Sequence, residues 1–348
     1  MNTKFIIKHY FSIISIALIT NSVLAQDNVL NYIEEYPIQQ QFKKMNSWLE
    51  NNKIGTFNFS GLLDSETKAR NVQASIDYGS NWFSISDVPA IIQVPNYDKY
   101  FSVAVYDMNH FVPAVIVNPT NPILIIRPDQ KIPKGEFTIV ELETDQGLII
   151  TRMAVANNLD EVKQLRTSIK MEGGNGTINY ESKTFLERTI KWGNALIDAS
   201  NPYVKLVYPK KSGEVDPITL ATVVKRAPRG VPSDAAKYSV ITTDEDGLPL
   251  RGNITYELTV QSNIVRKGGY TSITVYGVDN RLLIPNNKKI YDRTSYTSKQ
   301  NDDGTYTITL SPNGEGLNGI PTGKPFYAIL RAYEPIESAD LKIIVTKK

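Results

Sequence analysis

The chain has 348 residues, with 38 Lys and Arg against 36 Asp and Glu, two histidines and no cysteine. The missing cysteine excludes disulfides, thiol nucleophiles, zinc–thiolate sites and iron–sulfur clusters. The near-balance of charge gives the chain as a whole no basic field that would attract nucleic acid or anionic lipid.

Lys4, Lys8, an apolar run from Phe11 to Leu18, and Val23-Leu24-Ala25 have the layout of a secretory signal cleaved after Ala25. The expected destination is the periplasm or the cell exterior. Cleavage would remove Lys4, Lys8 and His9, leaving 36 basic residues against 36 acidic ones and His110 as the last histidine. One histidine rules out a multi-histidine metal site within one chain, and a Ser-His-Asp triad would have to use it. No later segment has the length of an apolar membrane-spanning helix.

Residues 28–50 read as a helix, with Leu30, Ile33, Ile38, Phe42, Met45 and Leu49 at rough helical spacing and Pro37 as a break. A β pattern begins at Trp82 and continues through segments 91–94, 101–106, 123–126, 137–142 and 148–155. Asn158 or Asp160 caps a short helix reaching about Ile169. Glu172-Gly173-Gly174-Asn175-Gly176 is the clearest linker. Segment 182–198 is a second helical stretch, and Pro217 opens another that reaches about Val224. Strands resume near Tyr238, with alternation at Tyr256-Leu258-Val260, Ile273-Val275 and Tyr306-Ile308-Leu310, then at 326–333 and 341–345. Asp244-Glu245-Asp246-Gly247 and Asn301-Asp302-Asp303-Gly304 read as turns rather than calcium loops, because neither has the full ligand spacing or the distal glutamate, and Asn313-Gly314 is a further hairpin-type turn.

One strand pattern occurs twice. Tyr100-Phe101-Ser102-Val103-Ala104-Val105-Tyr106 returns as Tyr270-Thr271-Ser272-Ile273-Thr274-Val275-Tyr276. A second echo joins Ile132-Pro133-Lys134-Gly135 to Ile320-Pro321-Thr322-Gly323, each followed by a phenylalanine, Phe137 or Phe326. The expected fold is mainly β with a few helices: two related antiparallel β-sandwich or jelly-roll-like domains plus a helical connector. The expected boundaries are 26–170 for the N-terminal β-rich domain, 171–230 for the linker and helices, and 231–348 for the C-terminal sandwich.

Pro232-Ser233-Asp234-Ala235-Ala236-Lys237-Tyr238 and Thr242-Thr243-Asp244-Glu245-Asp246-Gly247 open a series of blocks. It continues with Ser272-Ile273-Thr274-Val275-Tyr276 and Pro325-Phe326 through Arg331 to Pro335. This C-terminal series resembles domain-of-unknown-function family 1214. Val94-Pro95, Tyr100 to Val103 and Tyr106-Asp107 are similar to family 1254, its usual N-terminal companion. The resemblance implies a two-domain, β-rich exported protein, often bacterial, with no settled activity. The chain departs from the pattern at Thr271, where a tryptophan is usual, at Gly277, where an aspartate is usual, and at Leu317-Asn318-Gly319-Ile320-Pro321. Gly79-Ser80-Asn81-Trp82 stands near the place of an Asn-Asp-Thr segment of the N-terminal family, which makes Asn81 a candidate ligand residue.

Within the motif, Phe101, Val103, Val105, Ile273 and Val275 form apolar faces, and the Tyr/Ser faces are open to a role. They could line a ligand cup or pack between sheets or domains. Tyr106, Asp107 and His110 end the first copy. Asp107 and His110 are the pair a metal would use, against the plainer reading of a polar surface loop. Tyr276 and Arg331 belong to the second copy, and a buried Arg331 would need a carboxylate or a bound anion. The candidate ligand-binding set is thus Asn81, Tyr106, Asp107, His110, Tyr276 and Arg331, with no catalytic residue named and no cofactor required by the sequence. The expected function is an exported, non-catalytic small-molecule-binding or structural β-protein, the alternative being a metal-assisted hydrolase using carboxylates and His110. The expected partners are a small-molecule ligand and further copies of the chain in a homo-oligomer. Nucleic acid is not among them.

Overall fold

A computed structural model describes residues 28–348, so the expected signal sequence lies outside the described residues. Two compact units result. One contains residues 28–51, 108–111 and 179–230, and the other contains residues 52–107, 112–178 and 231–348.

The smaller unit is helical. Helix α1 spans Val29–Leu49 and is capped by Asn28, whose side-chain oxygen accepts from the Asn31 amide at 2.8 Å. The helix runs straight through Pro37, against the expected break. Proline removes one intrahelical bond, and packing of the buried Tyr32-Ile33-Tyr36-Pro37 face offsets that loss. A second helix of this unit spans Glu187–Ser200 and a third spans Pro217–Arg226, the last with Pro217 in its first turn and Asp216 as cap. Tyr32, Ile33, Tyr36, Ile197, Ala221 and Val224 form the core of this unit.

The larger unit is β, apart from a short helix, α2 (Leu159–Arg166), which follows its Asn158 cap. The helices Glu187–Ser200 and Pro217–Arg226 are therefore α3 and α4. Nine strands form the first module: β1 (Asn58–Phe59), β2 (Ile76–Ser84), β3 (Ala90–Gln93), β4 (Phe101–Asp107), β5 (Ala114–Val117), β6 (Ile123–Ile126), β7 (Thr138–Glu141), β8 (Gln146–Ala154) and β9 (Lys170–Glu172). Eight form the second: β10 (Ala236–Ile241), β11 (Tyr256–Val260), β12 (Val265–Gly277), β13 (Asp292–Thr294), β14 (Tyr306–Ser311), β15 (Ile320–Pro321), β16 (Phe326–Pro335) and β17 (Val345–Lys347).

The sheet orders are β1-β2-β8-β4-β5 and β7-β6-β3-β9 in the first module, β10-β16-β12-β13 and β15-β14-β11-β17 in the second. Adding eight to each strand number from β2 to β9 reproduces the second module, neighbour for neighbour. Even the parallel pairing of β6 with β7 recurs in β14 with β15. The architecture is mainly β and sandwich-like, as the sequence predicts. In each module the two sheets enclose an apolar core. Phe101, Val103 and Val105 meet Ile92, Ile123 and Ile125 in the first. Ile273 and Val275 meet Leu258, Ile308 and Leu310 in the second. Each such side chain contributes roughly 1.5–3 kcal/mol by leaving water.

Strand β2 begins at Ile76, six residues before the predicted start, because Asp77 and Tyr78 pair with β8 although the stretch lacks an apolar alternation. The second echo is not a structural repeat. Ile320-Pro321 is strand β15 inside the core, whereas Ile132 lies in a loop before β7 and is 53% exposed. Val140 of β7, opposite Ile125, holds the buried place that Ile320 holds opposite Leu310.

Candidate functional site

Phe101, Val103 and Val105 of β4 and Ile273 and Val275 of β12 fill the sandwich cores, so Tyr100, Ser102, Tyr106, Tyr270, Ser272 and Tyr276 face the other way. Register then places a matching row on each sheet. In the first module Tyr78 of β2 pairs with Arg152 of β8, which pairs with Ser102 of β4. In the second, Tyr238 of β10 pairs with Arg331 of β16, which pairs with Ser272 of β12. Residues directly opposite share a face, so each module carries a Tyr–Arg–Ser row.

Each arginine also reaches the tyrosine four positions beyond its serine. Arg152 Nη2 donates to the Tyr106 hydroxyl at 3.1 Å, and Arg331 Nη2 donates to the Tyr276 hydroxyl at 2.7 Å. The two faces meet. The Tyr100 ring lies 5.2 Å from that of Tyr270 and 5.1 Å from that of Tyr333. Tyr270 stacks on Tyr333 at 4.7 Å and on Tyr296 at 5.3 Å. The result is a layer of tyrosines and arginines between the two modules, in addition to the apolar core inside each.

The second module's half of the layer is crossed by residues 71–75, which precede β2. Arg331 donates to the Asn71 carbonyl at 2.8 Å and to Thr274 Oγ1 at 3.0 Å. The Tyr276 hydroxyl donates to the Val72 carbonyl at 2.5 Å. Gln73 Oε1 accepts from Ser272 at 2.9 Å and Thr274 at 3.3 Å, while its Nε2 donates to Asp292 Oδ2 and Ser75 Oγ, each at 2.8 Å. Among the described residues, no carboxylate comes within ion-pair distance of Arg331, which is 4% exposed.

Burial sets the protonation of this layer. It pushes the Tyr276 hydroxyl up to about 12, with Arg331 opposing. It raises Tyr78 and Tyr238 as well, each opposed by both Arg152 and Arg331. Tyr238 nevertheless keeps 42% of its surface open, while its hydroxyl lies in the field of both guanidiniums. Burial also raises Asp292, against the hydrogen bonds from Ser75.

Three predicted residues, Tyr106, Tyr276 and Arg331, come together in this layer. Asn81 does not. It points into the first sandwich, fully buried, with its Nδ2 3.6 Å from Met171 Sδ. Asp107 ends β4 and is 2% exposed. His110 belongs to the helical unit and is buried, against the surface-loop reading. Its backbone is left-handed, at φ 72°, and its Nε2 accepts from the Arg229 amide at 3.1 Å. Burial, then the Arg229 charge, lowers its pKa to about 3, so the imidazole is neutral. Among the described residues no three His, Cys, Asp or Glu side chains are grouped to hold a metal ion. Sequence reading missed Arg152, Tyr78, Tyr238, Gln73 and Asp292. Arg152 carried a signal, since it interrupts an apolar strand as Arg331 does.

Comparison with solved structures gives the VPA0106 protein from Vibrio parahaemolyticus at 18% identity and a TM-score of 0.74, covering 92% of this chain and 98% of that one. A putative uncharacterized protein from Burkholderia cenocepacia matches at 10% identity and a TM-score of 0.50, covering 90% and 87%. Both likenesses are of fold. No curated protein matches the chain. Two family models do match, and their limits follow the two modules. Residues 57–173, spanning β1 to β9, match the model of the family of unknown function DUF1254, and residues 235–337, spanning β10 to β16, match that of the family of unknown function DUF1214.

Proposed function

We propose that the protein is an exported, non-catalytic binding protein for a small anion, a molecule bearing a carboxylate or phosphate group, taken up at the tyrosine–arginine layer. The observation that carries this reading is Arg331. Its guanidinium is buried, and its described hydrogen-bond partners are a hydroxyl, a phenol and a carbonyl, all neutral. Desolvating such a charge costs several kcal/mol, and neutral dipoles offset that only in part. The Asp292 carboxylate feels the Arg331 charge without pairing with it, and an anion in reach of the layer would offset the rest. Arg152 stands at the equivalent register, and Tyr78 and Tyr238 lie in the field of both cations.

The chemistry of the layer favours binding over turnover. Guanidiniums and phenols with raised pKa values stay protonated near neutrality, so they donate hydrogen bonds but do not shuttle protons. Arginine's planar fork suits carboxylate and phosphate oxygens.

The test is calorimetric titration with citrate, inorganic phosphate and benzoate, using wild type and Arg331→Gln. At least one probe should bind wild type, and Arg331→Gln should weaken it at least tenfold while retaining a cooperative melt. Absence of binding by any probe, or equal binding by the folded variant, would overturn the reading.

A further inference from the structure

The helical unit carries a surface that the tyrosine–arginine layer does not involve. Its core takes one face of α3, where Thr189, Gly193 and Ile197 are buried. Gly193 is required there, since a Cβ would lie 2.2 Å from the Tyr32 ring. The neighbouring face is apolar and open to solvent. Trp192 is 65% exposed and Leu196 47%, one turn further on. The segment after the helix adds Tyr203 at 87% and Leu206 at 48%.

Scattered exposed apolar residues are ordinary, but an exposed Trp, Tyr and two Leu within fifteen positions are not. The charge along this segment leans positive. From Lys183 to Lys211 there are six cations and two acids, in a chain that is close to neutral overall. Lys183 is paired with Glu35 and Asp198 with Lys225. Lys191, Lys205 and Lys211 stand exposed among the apolar side chains. Tryptophan, tyrosine and leucine interleaved with lysine is the composition of a surface that lies in the headgroup region of a bilayer. Lysines near an anionic leaflet add an electrostatic attraction that salt screens. A second copy of the same surface would instead set these cations against one another.

We infer that the exposed face of α3 at Trp192 and Leu196, with the Tyr203–Leu206 segment that follows the helix, docks the protein peripherally on an anionic lipid surface. The experiment compares wild type with a Trp192→Gln/Leu196→Gln double variant, both with the same N-terminus, by co-sedimentation with vesicles. One set of vesicles is phosphatidylcholine alone, and the other contains a third phosphatidylglycerol. Wild type should bind the anionic vesicles at least tenfold better, with a blue shift of tryptophan fluorescence, and should lose most of that binding in 0.5 M salt. The double variant should melt like wild type and lose at least tenfold in binding. Equal binding by the variant, no preference for the anionic vesicles, or a wild-type dimer that the double variant abolishes would overturn the inference. The last outcome would assign the face to a second copy.

Discussion

Tyr100 packs its ring against Tyr270, the residue in the same place of the second module, with centroids 5.2 Å apart. A residue that meets its own counterpart marks an isologous, two-fold contact. Other pairs obey the same rule: Tyr78 feels Arg331 and Tyr238 feels Arg152. The two modules are therefore joined as the halves of a homodimer are, within one chain, and the tyrosine–arginine layer lies along that junction.

Tyr270→Ala should be the most damaging truncation in this layer. The ring touches Tyr100, Tyr296 and Tyr333 and is fully buried. The expected cost is about 3–5 kcal/mol. A double-mutant cycle with Tyr100→Ala should show a coupling of about 0.5–1.5 kcal/mol. Urea denaturation of the four proteins measures both values, and strictly additive losses would mean that the rings do not meet in solution.

Gln73 joins the first module to the second through one side chain. Gln73→Leu keeps the bulk but removes the acceptor for Ser272 and Thr274 and the donor for Asp292. Each buried polar group left without its partner costs roughly 1–3 kcal/mol. The variant should lose at least about 2 kcal/mol in chemical denaturation. A loss under about 0.5 kcal/mol, the range of a neutral surface change, would refute the network.

The motif strands were legible because an alternation of two is a strong local signal, and 101–106 and 123–126 fall where the structure puts them. The duplication was legible only in that strand. Its other members lie at different offsets: 160 from Tyr78 to Tyr238, 170 from Ser102 to Ser272, 179 from Arg152 to Arg331. Loops of unequal length shift each strand separately, so no fixed period links the rows. Tyr276 and Arg331 could be named from sequence, but their company could not. Register across three strands sets the Tyr–Arg–Ser row, and residues 71–75 have no helical or strand pattern to betray where they cross. His110 misled for a related reason, since its burial depends on the Arg229 segment, 119 positions away.

His110 predicts a pH dependence whose sign is fixed. Its folded pKa, about 3, is below the ordinary imidazole value of 6.5. Between these values the unfolded chain binds a proton that the folded chain refuses. Stability from this group is full above about pH 6.5 and falls as pH drops toward 3, with a limiting slope of about 1.4 kcal/mol per pH unit. Asp292, raised by burial, acts in the opposite sense around its own titration. Comparison of wild type with His110→Gln isolates the histidine. The variant should lose that slope between pH 6.5 and 4.5 in denaturant melts, and parallel pH profiles would contradict a buried neutral imidazole.

Asn71 separates backbone strain from hydrogen bonding at the crossing segment. Its φ is 56°, in the left-handed region, where a residue with a Cβ other than Asn or Asp is disfavoured by about 1–2 kcal/mol. Its side-chain oxygen accepts from the Tyr327 hydroxyl, its amide donates to the Arg281 carbonyl at 3.1 Å, and its own carbonyl takes the bond from Arg331. Asn71→Ala loses the Tyr327 bond and meets the strain. Asn71→Gly loses the bond but is free of the strain. The glycine variant should therefore be the more stable of the two by about 1 kcal/mol, although glycine has more entropy to lose on folding. Both keep the backbone carbonyl that Arg331 uses, so both should bind the anionic probes as wild type does. Weakened binding in the glycine variant alone would show that rigidity of this crossing, and not only its carbonyl, holds Arg331 in place.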